Sequence, residues 1–167
     1  MLGFLQEDCL RFSQSQMLFR SLTVMDTDLG IRILIVDDYG PWRRFISTAL
    51  QTNPDLRVVG EAPDGFAAIE KAAELQPDLV LLDIEMPKLN GIEAARKILQ
   101  SSPQCKILFV STEQSPEVAS EAFRAGGLGY LAKPDAGNEL FLALETVLQG
   151  RRFASSSLNQ RWNSKTA

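Results

Sequence analysis

From Ile31 to Gly150 the chain alternates five times between a short apolar run and a longer segment with apolar residues at helical spacing. Few topologies satisfy that order. The runs are Ile31–Val36, Leu56–Glu61, Asp78–Asp83, Lys106–Ser111 and Leu128–Ala132. Three of them (IRILIV, DLVLLD, KILFVS) are almost continuously apolar, as parallel strands covered on both faces must be. The intervening segments carry helix start signals. Pro41 opens the first, with Trp42, Phe45, Ile46, Ala49 and Leu50 on one face. Asp64 is placed to cap the second, whose inner face reads Phe66, Ile69, Ala72 and Ala73. Asn90 with Glu93 resembles a capping box, Ser115-Pro116 begins the fourth helix, and the fifth starts near Asp135. Strands alternating with helices of this length predict right-handed crossovers and a five-stranded, doubly wound parallel α/β sheet over residues 30–150.

The two ends read differently. Residues 1–29 lack a convincing long period and have neither the basic start nor the continuous apolar stretch of a signal peptide. They read as an extension that need not be native, with Met25 a candidate start. Residues 151–167 are polar and Ser-rich, and read as a solvated tail or linker remnant too short to fold alone.

Composition narrows the chemistry. A net charge of -4 argues against nucleic acid as a direct partner of the bulk surface. No apolar run approaches the ~18–20 residues that span a bilayer, so no membrane partner is expected. Cys9 and Cys105 form neither a disulfide framework nor a zinc pattern, which suits a reducing, cytoplasmic setting. The chain contains no histidine, so imidazole catalysis and His metal ligation are excluded. Any phosphohistidine donor must then be another protein.

In an open α/β sheet, ligands bind beyond the carboxyl ends of the strands. There the first strand ends in Asp37-Asp38, the third in Asp83 and the fourth in Ser111-Thr112, while Lys133 follows the fifth. Each alone is an ordinary turn or surface residue; together they make a site. Carboxylates so grouped repel by roughly 4 kcal/mol per pair at ~4 Å and an effective dielectric near 20. A hard cation relieves that repulsion, and all-oxygen ligands favour Mg²⁺, with Mn²⁺ as the alternative. Such a cluster, with a lysine and a hydroxyl at hand, suits phosphoryl transfer to a carboxylate.

The segments LIVDDYGPWRRFI, DLVLLDIEMPKLNGIEAARKI and ILFVSTEQSPEVASEAFRAGGLGYLAKPDAGNEL resemble the receiver domains of two-component response regulators, most closely the NarL/FixJ-type branch. The likeness covers residues 30 to 150, and its paired acids, D-x-x-M-P-x-x-N-G loop and K-P pair are specific. It implies a flavodoxin-like (βα)5 three-layer fold and a cytoplasmic phosphorelay protein that catalyses its own phosphorylation and dephosphorylation. Asp83 would be the phosphoacceptor. Asp38 would ligate Mg²⁺ directly, Asp37 mainly through a coordinated water, and the backbone carbonyl of Glu85 would complete the protein ligands. Ser111 and Lys133 would bind the phosphoryl group, Tyr130 would be the aromatic switch residue, and the bond before Pro134 would be cis. The partners implied are a histidine kinase or phosphotransfer protein, a downstream protein at the face of helix four, strand five and helix five, and a second copy in a homodimer.

Two departures stand out. Gly126-Gly127 replaces the usual Gly-Ala, and Glu85 sets a side-chain carboxylate beside the phosphoacceptor, where it is expected to alter the phosphoryl lifetime. NarL/FixJ-type regulators usually continue into a helix-turn-helix domain, which residues 151–167 are too few to build. Two alternatives therefore stand beside a single-domain switch: the isolated receiver of a helix-turn-helix transcription factor, and a non-phosphorylated pseudo-receiver used as a binding module.

Overall fold

The computed structural model describes residues 30–166. The expectations for residues 1–29, including a start at Met25, lie outside them. The strands are β1 (Ile31–Val36), β2 (Leu56–Ala62), β3 (Leu79–Leu82), β4 (Lys106–Ser111), β5 (Gly129–Ala132) and β6 (Phe153–Ala154). The helices are α1 (Gly40–Leu50), α2 (Gly65–Leu75), α3 (Gly91–Ser101), α4 (Pro116–Arg124), α5 (Ala136–Leu148) and α6 (Ser156–Thr166). One sheet in the order β2-β1-β3-β4-β5-β6 holds all six strands, and every neighbouring pair is parallel.

Strand alternation sorts the core into two layers. Ile33, Ile35, Leu79, Leu81, Leu108 and Val110 face α1 and α5, where Ile46, Leu50, Leu140 and Leu144 meet them. Leu34, Val36, Val80, Leu82, Ile107 and Phe109 face α2, α3 and α4, whose inner sides are largely alanine. Small residues let those three helices lie close to the sheet. The predicted caps form: Asp64 accepts from Ala67 N–H at 2.9 Å, Asn90 from Glu93 N–H at 2.9 Å, and Ser115 from Val118 N–H at 3.3 Å. Two aromatics depart from the periodic reading. Phe45 and Phe66 point outward, 48% and 52% exposed, because Ile46 and Leu50 fill the inner face of α1 while Gly65, Ala68 and Ala72 fill that of α2.

The tail reading is corrected, and so is the strand count. Residues 151–166 are not a solvated remnant: Phe153–Ala154 add a sixth strand beside β5, and Leu158 is fully buried against the α2–α4 layer. Without β6 the edge of β5 would present unpaired N–H and C=O groups. The proline expectation is corrected too. Among the described residues no peptide bond is cis, so the Lys133–Pro134 bond is trans. Pro134 occupies a 3-10 turn over Lys133–Asp135, closed by Ala136 N–H on the Lys133 carbonyl, which leads straight into α5. The fixed φ of proline suits such a first turn, and trans is the lower-energy isomer by ~0.5–1 kcal/mol.

Candidate functional site

The parallel order brings the carboxyl ends of β1, β3, β4 and β5 to one edge, and the chain reverses its winding between β1 and β3. Asp37 and Asp38 leave β1 there and Asp83 leaves β3 beside them. One carboxylate oxygen from each of the three lies within 4.8 Å of the others. Asp37 and Asp83 are 1% and 3% exposed, whereas Asp38 faces solvent. The close fit between β3 and α3 depends on Gly91: its N–H donates to the Ile84 carbonyl at 3.0 Å, and a Cβ there would overlap the Asp83 carbonyl.

Lys133 supplies the cation. Its Nζ lies 2.6 Å from Asp37 Oδ2 and 3.5 Å from Asp83 Oδ2, and rests 5.2 Å from the centre of the Trp42 ring. Despite that ion pair, Asp37 Oδ2 meets no donor in hydrogen-bond geometry, and Asp83 Oδ1 has no hydrogen-bond partner at all. Burial raises the Asp83 carboxyl to about 6, with the Asp37 charge adding to the rise. Lys133 and the backbone N–H groups of Glu85 and Ile84 oppose the rise without cancelling it. A buried carboxylate oxygen with no partner, grouped with a second carboxylate held by a single lysine and a solvent-facing third, suits a hard divalent ion that keeps part of its hydration shell. The donor set therefore fits Mg²⁺.

Ser111 ends β4 fully buried, and its Oγ accepts the Glu113 N–H at 3.0 Å. Its own proton is left for the Tyr130 hydroxyl oxygen, which can still accept one. Tyr130 lies inward with no exposed surface and donates its hydroxyl to the Glu113 carbonyl at 2.6 Å. Burial raises the Tyr130 hydroxyl to about 12, while a side-chain hydrogen bond with Ser111 lowers it. The Glu85 carboxylate accepts from Thr112 Oγ1 at 2.5 Å, which ties the loop after β3 to the end of β4.

The structure thus groups Asp37, Asp38, Asp83, Ser111 and Lys133, with Tyr130 and Glu85 at the margins. Sequence reasoning overlooked Arg43, which donates to the Asp37 carbonyl at 2.7 Å and pairs with Glu61 at 3.0 Å. Pro41 could have signalled it, because a helix starting there turns residue 43 back toward the end of β1. Trp42 beneath Lys133 carried no comparable signal, being read as core.

Residues 33–145 match the family described as response regulator receiver domain. The chain is similar to the protein-glutamate methylesterase/protein-glutamine glutaminase of Thermotoga maritima, 44% identical over 109 residues, which are 65% of this chain and 32% of that protein. It is also similar to the response regulator GacA of Pseudomonas viridiflava, 37% identical over 131 residues, which are 78% of this chain and 61% of that one. The chain spans between 32% and 61% of the length of these two curated relatives. Among solved structures, the response regulator domain of Thermotoga maritima CheB aligns with a TM-score of 0.67 at 36% identity, covering 71% of this chain and 96% of that one. A LuxR-family two-component response regulator from Aurantimonas sp. SI85-9A1 aligns with a TM-score of 0.77 at 34% identity, covering 81% and 98%.

Proposed function

This chain belongs to the response regulator receiver domain family, and from that premise we propose that Asp83 accepts the phosphoryl group by which it takes part in a phosphorelay. One observation carries the assignment. Asp83 is the buried carboxylate of the cluster whose Oδ1 meets no partner of any kind, with Lys133 held off at 3.5 Å from its Oδ2, whereas the open Asp37 oxygen is already ion-paired at 2.6 Å. Asp37 and Asp38, with Asp83 and the Glu85 backbone carbonyl, would hold Mg²⁺, or Mn²⁺ in its place. When bound, that ion neutralises charge on the phosphoryl oxygens.

The remaining work falls to the chain itself. Asp83 Oδ1 attacks phosphorus as the P–N bond of a partner's phosphohistidine breaks, and the imidazole leaves after taking up one proton. Lys133 moves from Asp37 onto the phosphoryl group, replacing one anionic partner with another. Ser111 turns its hydroxyl proton from Tyr130 to a phosphoryl oxygen. That donation competes with the Ser111–Tyr130 contact, which makes Tyr130 the residue through which β4 and β5 register the event. The donor is a histidine kinase or phosphotransfer protein. The readout is a downstream protein or second copy, and at the face of α4, β5 and α5 it meets the 153–162 segment that covers the β5 edge. With Asp37, Asp38, Asp83, Ser111 and Lys133 all in place, nothing favours a pseudo-receiver.

Acetyl phosphate with Mg²⁺ should add one hydroxylamine-labile phosphoryl group to the wild type and none to Asp83→Asn. Equal labelling of the variant, or none of the wild type, would sink the assignment.

A further inference from the structure

The segment that closes the sheet also grips the loop carrying the site's cation. Ser155 N–H donates to the Tyr130 carbonyl at 3.0 Å, and the fully buried Ser155 Oγ accepts the Ala132 N–H at 3.0 Å. On the far side of Lys133–Pro134, Asp135 accepts the Ser157 N–H at 3.1 Å and the Ser157 hydroxyl at 2.5 Å. Burial alone would raise the Asp135 carboxyl, but the bonds from Ser157 bring it below its ordinary value. Leu158 sits in the same buried cluster as Tyr130, and the Arg152 guanidinium lies 5.4 Å from the Phe123 ring centre. The loop that carries Lys133 is thus anchored at both flanking residues, Ala132 and Asp135, by side chains from outside the crevice.

The physics of those anchors is local. A buried sheet-edge N–H must find an acceptor, and a serine hydroxyl on its short stem fixes where that acceptor lies. Lys133 must place one ammonium against Asp37 and Asp83, and a displacement of ~1 Å in such a group can cost about 10²-fold in rate. We propose that Ser155 and Ser157 are positioning residues for Lys133, so that docking of the 153–162 segment and occupation of the phosphoryl site are coupled. The coupling rests on the phosphoacceptor reading of Asp83. By linkage it runs both ways: a docked segment strengthens phosphoryl binding, and a phosphoryl group tightens the docked segment.

Beryllofluoride with Mg²⁺, titrated into the full chain and followed by ¹⁹F NMR, tests this. Ser155→Ala and Ser157→Ala should each weaken beryllofluoride binding about five- to twentyfold, the range of ordinary coupling, and Ser157→Thr should restore it. Mg²⁺ affinity without beryllofluoride should not fall, because a loosened Lys133 competes less for Asp37 and Asp83. In the wild type, saturating beryllofluoride should slow amide exchange at Ser155, Ser157 and Asn159. A merely structural role predicts otherwise: faster exchange in the variants with beryllofluoride affinity unchanged, which would overturn the proposal. An exchange rate in the wild type indifferent to beryllofluoride would overturn it equally. Should Ser155→Ala fail to fold, the half-exposed Ser157 carries the test alone. A wild type that binds no beryllofluoride would instead overturn the phosphoacceptor reading, and this inference with it.

Discussion

The crevice between β1 and β3 and the edge between β5 and β6 both bury polar groups, and they treat them in opposite ways. In the crevice, Asp83 Oδ1 is buried with no partner, Asp37 Oδ2 is held only by its ion pair with Lys133, and the Asp83 carboxyl is pushed up to about 6. At the edge, Ser155 is equally buried, but its N–H and Oγ are both bonded to β5. Satisfied polar groups hold a structure; unsatisfied ones wait for a ligand. The difference separates residues that do chemistry from residues that fix its geometry.

The sharpest way to break that comparison is to remove the crevice's cation. Lys133→Ala should slow phosphorylation by acetyl phosphate by about 10²- to 10³-fold, as loss of one preorganised donor to a developing anion does, with Mg²⁺ still bound. A loss under threefold would mean that Lys133 is only an ion-pair partner of Asp37.

The second prediction concerns stability. A carboxyl raised from 3.8 to about 6 contributes stability that is complete below its unfolded value and lost as pH rises through about 6. In Mg²⁺-free buffer the wild type should therefore lose stability between pH 4 and 6 as Asp83 ionises. At pH 8, Asp83→Asn should be more stable than the wild type by up to ~3 kcal/mol, the equivalent of about two pK units. Thermal midpoints across pH, with and without Mg²⁺, check this; added Mg²⁺ should close the gap. An Asp83→Asn midpoint below that of the wild type at pH 8 would contradict it.

At the satisfied edge the sign reverses. Ser155→Ala leaves the Ala132 N–H without its acceptor and should destabilise the fold by about 1–3 kcal/mol in chemical denaturation. That loss should be the same at pH 5 and pH 8, because Asp135, the carboxyl that Ser155 also helps to hold below its ordinary value, is ionised at both. The smallest expected effect is at the margin of the crevice. Glu85→Asn removes the charge that Thr112 Oγ1 now bonds, and the phosphoryl lifetime should change about two- to fivefold, on the order of one hydrogen bond. An unchanged lifetime would show that the Thr112 contact holds Glu85 away from the reacting group.

These two regions were not equally legible in the sequence. Asp37, Asp38, Asp83, Ser111 and Lys133 each follow an apolar run, and a parallel sheet brings the ends of its strands together whatever the loops do. The grouping of these side chains is therefore legible from the strand ends alone. The sixth strand is not. RRFASSSLNQRW reads as polar because its serines pair with groups that only the folded sheet supplies: the Tyr130 carbonyl, the Ala132 N–H and the Asp135 carboxylate. Composition registers a serine as solvated and carries no sign of a partner some twenty residues away. Pro134 shows the converse error. The expected cis bond came from resemblance, while the local chain builds a 3-10 turn with a trans bond. Phe45 and Phe66 show the limit of periodicity, since a wide apolar stripe does not say which of its residues the sheet has room for.

The account turns on which carboxylate becomes the acyl phosphate. Phosphorylation with acetyl phosphate and Mg²⁺, reduction with borohydride, and peptide mass spectrometry identify it, because borohydride converts a phosphorylated aspartate to homoserine. The account predicts homoserine at position 83 alone, in an amount that follows the phosphoryl content. Homoserine at position 37 or 38, or an unreduced Asp83 in a protein that carries phosphate, would contradict it.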